Sequence, residues 1–241
     1  MNIIQLSNVR LSFPKLIEAE AVANQPNSAK KWGADLIFKA GDPQWARVMQ
    51  GVQAVAAEKW KEHGNSVLQI VGNDRKLRCF GNGTEKIDSK TFKPYTGYDG
   101  GATYLSASSV EDKPPVMVDA DGNPCPNDNT MLRKQLARKL YGGCYANVAV
   151  RFWAQDNQYG RGIRCELIAV QFAGDGEPFG EAPPDVTGMF GAVQGGAAQQ
   201  APAFPGFPGF PGQPAQAPAQ AAAPAATPGH YFAPPPWAQK S

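Results

Sequence analysis

Six cations lie between residues 75 and 93, namely Arg75, Lys76, Arg78, Lys86, Lys90 and Lys93, against only Glu85 and Asp88. The rings of Phe92, Tyr95, Tyr98 and Tyr104 accompany or follow them. Positive charge interleaved with flat rings suits single-stranded nucleic acid: cations follow the phosphates, and unpaired bases stack on the rings for about 1–3 kcal/mol each. Residues 144–155 supply a second platform. Their alternation puts Cys144, Ala146, Val148, Val150, Phe152 and Ala154 on one face and Tyr145, Asn147, Ala149, Arg151, Trp153 and Gln155 on the other. The first set reads as core, and the second presents Tyr, Arg and Trp outward. Lys31, at the head of another strand, and Arg161, in a turn, add charge. The expected binding residues are Lys31, Arg75, Lys76, Arg78, Lys90, Lys93, Tyr95, Tyr98, Tyr104, Tyr145, Arg151, Trp153 and Arg161. The competing reading leaves the lysines solvated and lets the tyrosines close one end of a barrel.

Other chemistries find little support. Gly81-Asn82-Gly83 opens like a dinucleotide loop but lacks the third glycine and a strand-to-helix setting. Asp119-Ala120-Asp121-Gly122-Asn123 imitates the start of a calcium loop, yet Pro124 and the missing distal Glu leave a hairpin turn as the better reading. Glu111 and Asp112 have no partner that spacing would force upon them. The two histidines, His63 and His230, form no nucleophile–base pair with any neighbour. Cys79, Cys125, Cys144 and Cys165 show no Cys-x-x-Cys spacing and read as reduced structural thiols. The expectation is a protein that is not an enzyme and needs no metal or cofactor.

The elements that must position the binding residues are legible as periodicity. Val9, Leu11 and Phe13 alternate with Arg10 and Ser12 until Pro14 ends the strand, and residues 14–28 read as a loop. Residues 31–39 repeat the pattern, with Trp32, Ala34, Leu36 and Phe38 on one face. Asp42 caps a helix with Pro43 in its first turn; Trp45, Val48, Met49, Val52, Val55, Ala56 and Trp60 recur at helical spacing, and Gly64 ends it. Residues 65–104 lack a clear period and read as loops and short strands. Residues 103–109 and 115–119 read as strands, the second leading into a turn at Asp121-Gly122-Asn123-Pro124, and a short helix follows over 130–141. Residues 163–172 return as the hairpin partner of 144–155, with a bulge near Leu167 and Ile168. A mainly β barrel or sandwich of about five strands with two accessory helices accounts for this order.

The 241 residues divide near residue 174. The first 173 carry 22 basic and 17 acidic side chains, a net charge of +5, and suffice for one hydrophobic core. The last 68 carry a net charge of −3 with 14 of the 22 prolines and 11 of the 26 glycines, so residues 174–241 are expected to be a disordered tail. Three Phe-Pro-Gly units, Phe204 to Gly212, and Tyr231, Phe232 and Trp237 mark that tail as a linker or a partner-binding segment. No stretch of about 18 apolar residues and no signal-like start occur, so a cytoplasmic location without membrane association is expected.

Three stretches carry a resemblance. They are Asn8-Val9-Arg10-Leu11-Ser12-Phe13-Pro14; Leu105-Ser106-Ala107-Ser108-Ser109 leading to Pro115-Val116-Met117-Val118-Asp119 and the Asp121 turn; and Leu140-Tyr141-Gly142-Gly143-Cys144-Tyr145-Ala146-Asn147-Val148 through Gly162-Ile163 to Ala169-Val170-Gln171-Phe172. In order and spacing, with the closing Asp175-Gly176-Glu177, they resemble a family of bacteriophage single-stranded DNA-binding proteins over most of residues 6–180. The resemblance implies an OB-like Greek-key barrel that coats single-stranded DNA during phage replication or recombination in the bacterial host, without catalytic residues. Its implied partners are single-stranded DNA and, through the tail, replication or recombination proteins or further copies of the chain. A virion or host-interaction scaffold acting through the Phe-Pro-Gly tail is the rival reading.

Overall fold

The computed structural model describes residues 3–21, 25–126, 128–158 and 160–180; residues 181–241, with the Phe-Pro-Gly units of the expected tail, lie outside the described residues. In chain order the elements are β1 (Ile3–Glu20), β2 (Lys31–Phe38), α1 (Pro43–Trp60), α2 (Gly64–Asn73), β3 (Phe80–Asn82), β4 (Thr103–Val110), β5 (Val116–Val118), α3 (Thr130–Ala137), β6 (Tyr145–Asn157) and β7 (Gly160–Gly174). The sheet order is β3-β4-β2-β1-β6-β7-β5, antiparallel except for the parallel β5–β7 pair. Five strands are long and two have three residues each, so the OB-like barrel rests on β4-β2-β1-β6-β7.

The barrel closes where β4 packs on β7. Ile163 N–H donates to the Leu77 carbonyl at 2.8 Å, and Ser106 N–H donates to the Cys79 carbonyl at 2.6 Å, so residues 77–79 join the two edges. This approach needs a glycine at 162, because a Cβ there would lie 2.6 Å from the Leu77 oxygen. The interior is filled by Leu6, Leu11, Leu36, Phe38, Leu105, Val150, Phe152 and Ile163, and α1 covers one opening with Val48, Val52, Ala56 and Trp60. Asp42 caps α1 as expected, its side chain accepting from Gln44 N–H at 2.9 Å.

Three expectations are corrected. Pro14 does not end the first strand: β1 runs on to Glu20, because a register shift between Ser12 and Lys15 places the proline at a bulge, where no ladder N–H is required. Gly64 does not end the helical region either. A short 3-10 turn over Lys61–His63 leads into α2, whose Val67 and Val71 reach the core; Val67, Leu68, Ile70 and Val71 do carry helical spacing, but the helix is short, starts at a glycine that reads as a stop and has no capping side chain to mark its start. Both faces of β2 are buried over most of its length, since residues 83–102 fold back over Asp35 and Ile37. The bulge expected near Leu167 and Ile168 is present as a register shift, with Ala149 opposite Ala169 and Val150 opposite Leu167.

Candidate nucleic-acid interface

The alternation of residues 145–155 is realised in β6: Ala146, Val148, Val150 and Phe152 are buried, while Trp153 is 42% exposed. Trp153 stands opposite Arg164 of β7, and Arg151 opposite Glu166. These outward residues form one wall of a groove of about 740 Å³ over the β4–β7 seam; Lys31, Ser106, Ser108 and Lys113 line the other. A second cavity of about 580 Å³, lined by Arg75, Lys76, Lys86 and Tyr104, shares Arg78 and Ser106 with the groove, so the two adjoin. Arg164 binds the basic run to this wall, donating to the Lys76 carbonyl at 2.9 Å and to Gln155 Oε1 at 3.0 Å.

Charge is distributed unevenly along the path. Arg151 is neutralised by Glu166, whose Oε2 accepts its Nε–H at 2.9 Å. Lys31, Lys76, Lys113 and Arg164 have no carboxylate partner among the described residues, which leaves them available to an anionic ligand.

Several expected binding residues hold the fold instead. Arg78 is a correction: its side chain is 10% exposed, and Nη2 donates to both Glu85 oxygens at 3.0 and 2.9 Å while Nη1 bonds the Phe80 carbonyl. Burial alone would raise the Glu85 pKa, but the Arg78 and Asn82 hydrogen bonds and the charges of Arg78 and Arg75 hold it below the usual carboxylate range. Arg75 is an exposed second partner, 3.8 Å from the same carboxylate.

Tyr98 and Tyr104 are also corrections, being buried and unable to offer a ring face to a base. Tyr98 donates to Asp35 Oδ2 at 2.7 Å, and Lys86 Nζ, itself donating to that oxygen at 2.7 Å, covers the Tyr104 ring. These tyrosines pack with Ile37 and Ala102 in a small cluster on the outer face of β2 and β4, apart from the barrel core and not at a barrel end.

Two further residues stand away from the groove. Arg161 sits at the tip of the β6–β7 hairpin, 3.5 Å from Asp156. Tyr145 is eight residues before Trp153 on the same face, a separation of about 26 Å at strand rise. It lies beneath Arg10, whose guanidinium also rests 4.4 Å from the Phe179 ring and donates to the Glu177 carbonyl at 2.7 Å. Phe179 N–H donates to the Gly142 carbonyl at 2.8 Å, so the packed chain continues past residue 173.

Lys90, Lys93 and Tyr95 belong to a finger over residues 86–95. An Ile87–Pro94 bridge closes it, Asp88 N–H donates to the Lys93 carbonyl at 2.9 Å, and Tyr95 N–H donates to the Lys86 carbonyl at 2.9 Å. Tyr95 is half exposed and meets Phe13 edge to face at 5.1 Å. Sequence reasoning missed Lys113, Arg164 and Phe13, and it named the Phe92 ring beside the cations without counting it among the expected binding residues. Arg164 carried a signal, its alternation with Ile163 and Cys165. Phe13 carried a misleading one, since its spacing from Val9 and Leu11 points it into the core and only the bulge turns it out.

Comparison with known proteins bears on the family and the fold. A family model described as the Enterobacter phage Enc34 ssDNA-binding protein matches residues 1–195. Protein p50 of Acyrthosiphon pisum secondary endosymbiont phage 1 is 35% identical over 178 residues, covering 73% of this chain and 85% of that protein. The solved single-stranded DNA-binding protein from bacteriophage Enc34 in complex with ssDNA is 20% identical, with 74% of this chain and 89% of that chain covered at a TM-score of 0.51. The same phage protein without DNA is 22% identical, with 78% and 89% covered at a TM-score of 0.51. The structural likeness shows a shared fold.

Proposed function

The chain belongs to the Enterobacter phage Enc34 ssDNA-binding protein family, and on that premise we propose that it binds single-stranded DNA along the seam groove. One observation carries the placement: Trp153, exposed on a rigid strand, is flanked by Lys31, Lys113 and Arg164, cations without carboxylate partners among the described residues. The groove includes the outer side of β4, the third long strand, and Lys31 at the head of β2, the second, and this barrel type takes oligonucleotides on the second- and third-strand face. Bases stack on Trp153 while the cations track phosphates, so sequence preference is slight.

The biological role that follows is coating and protecting single strands during phage DNA replication or recombination in the bacterial host. The family is one of binding proteins rather than a class of enzymes. We assign the chain no catalytic step, and residues 181–241 serve to recruit partners.

Anisotropy titration of labelled oligo(dT) across a salt series tests the reading. Log affinity should fall with log salt by about 0.7 per contacted phosphate. No binding, or a flat salt plot, would overturn it and favour the scaffold role. Cleavage of the oligonucleotide with added Mg²⁺ would overturn the non-enzymatic assignment.

A further inference from the structure

Two phenylalanines, Phe13 and Phe92, are turned outward by backbone in the left-handed region, with φ of 46° and 56° and exposures of 48% and 82%. That conformation is disfavoured for a residue with a bulky Cβ substituent, and an exposed phenyl ring forgoes burial as well. Strain of this kind persists where surrounding structure imposes it, and such residues cluster at ligand-binding sites. Phe13 is imposed by the β1 bulge between Ser12, opposite Asp35, and Lys15, opposite Gly33. Phe92 is imposed by the finger, its N–H donating to the Asp88 carbonyl at 2.8 Å and the neighbouring Lys90 N–H to Asp88 Oδ1 at 2.7 Å.

We infer that the finger and Phe13 form a second base-stacking station for single-stranded DNA, reached by the same strand as it leaves the seam groove. The inference rests on the function proposed above. Its chemistry matches the ligand: Phe92 and the Phe13–Tyr95 pair offer rings, and exposed Lys90 and Lys93 have no ion pair among the described residues. Its position does too. Ser106 of the groove stands opposite Asp35, and Asp35 opposite Ser12, so Phe13 is the residue after the β1 end of a row that crosses β4, β2 and β1 from the groove. Lys86, at the root of the finger, lines the cavity that adjoins the groove. The station is also preorganised, because Asp35 accepts from Lys86 and Tyr98 on either side of the finger, both at 2.7 Å. Lone rings recognise bases only where base faces are free, which selects single strands over duplex.

The test compares the full-length protein with Phe92→Ala and Phe13→Ala on oligo(dT) of about 4 and about 16 nucleotides, lengths that bracket the site of one such barrel. Each variant should keep the wild-type melting temperature and short-oligomer affinity but bind the long oligomer about 5- to 100-fold more weakly. Photocrosslinking with 5-iodouracil in the long oligomer should map to the peptide carrying Phe92 and Tyr95. Since Phe13 packs on Tyr95, Phe92→Ala and the crosslink map decide the matter if Phe13→Ala fails to fold. Long-oligomer affinity unchanged in Phe92→Ala, equal weakening on both lengths, or no crosslink in the finger would each overturn the second station while leaving groove binding intact. A wild-type protein that binds neither oligomer would instead overturn the proposed function, and this inference with it.

Discussion

The Asp35 carboxylate on β2 accepts the Tyr98 phenol at 2.7 Å, although the two lie 63 residues apart. The same oxygen receives Lys86 Nζ at 2.7 Å, and Asp35 Oδ1 receives the Ser106 hydroxyl. One buried side chain thus ties the segment bearing the finger to the outside of the barrel wall.

Asp35→Ala should lower stability by about 3 kcal/mol in urea unfolding, because it leaves the Lys86 ammonium and two hydroxyls without their acceptor. Lys86 is 22% exposed and regains some hydration, which keeps the loss at the lower end for a broken buried pair. An unchanged urea midpoint would show that the finger is held by other contacts.

Alkaline pH should destabilise the fold through Tyr98. Burial, then the Asp35 charge, pushes its pKa above the ordinary tyrosine value, so the folded state favours the neutral phenol. Its contribution is complete below about pH 10, where an unfolded tyrosine begins to ionise, and declines as pH rises beyond that. Thermal melts between about pH 9 and 11 should show the decline, and Tyr98→Phe should make it shallower; parallel curves would assign the decline to other groups.

The four free cysteines are buried and should be silent to a thiol reagent at about pH 8 until urea unfolds the protein. Burial pushes Cys79 up to about 12, against a smaller opposing effect of a backbone hydrogen bond, and Cys144 up to about 11. Raised thiol pKa values also mean that stability falls as pH climbs above the unfolded thiol value of about 8.5. Rapid labelling of the native protein would contradict the packing of Cys79 at the seam.

Trp153→Ala should weaken oligonucleotide binding by about 1–3 kcal/mol and leave the melt unchanged, since the ring stands outside the barrel. Its neighbour Phe152, 2% exposed, should do the reverse, Phe152→Ala costing about 3–5 kcal/mol of stability through a core cavity. Calorimetry and anisotropy on the pair separate the faces of β6. Unfolding by Trp153→Ala would invert the strand.

What the sequence determined by itself is local. The β6 alternation assigns Phe152 inward and Trp153 outward because successive Cβ atoms must point to opposite faces, whatever the strand pairs with. Asp42, Pro43 and the spacing to Trp60 specify α1 for the same kind of reason, as capping and helical periodicity span only neighbouring residues. What the tertiary structure decided is which distant segments cover or neutralise a side chain. Tyr98 and Tyr104 have the composition of a stacking platform, yet residues 83–102 fold onto β2 and bury them. Arg78 and Arg151 read as phosphate ligands until Glu85 and Glu166 are placed beside them. Phe13 has the spacing of a core residue, and a bulge defined by pairing with β2 turns it to solvent. Direction along a regular strand follows from the chain's own covalent geometry, whereas burial, charge neutralisation and register shifts depend on partners that only the closed barrel brings together.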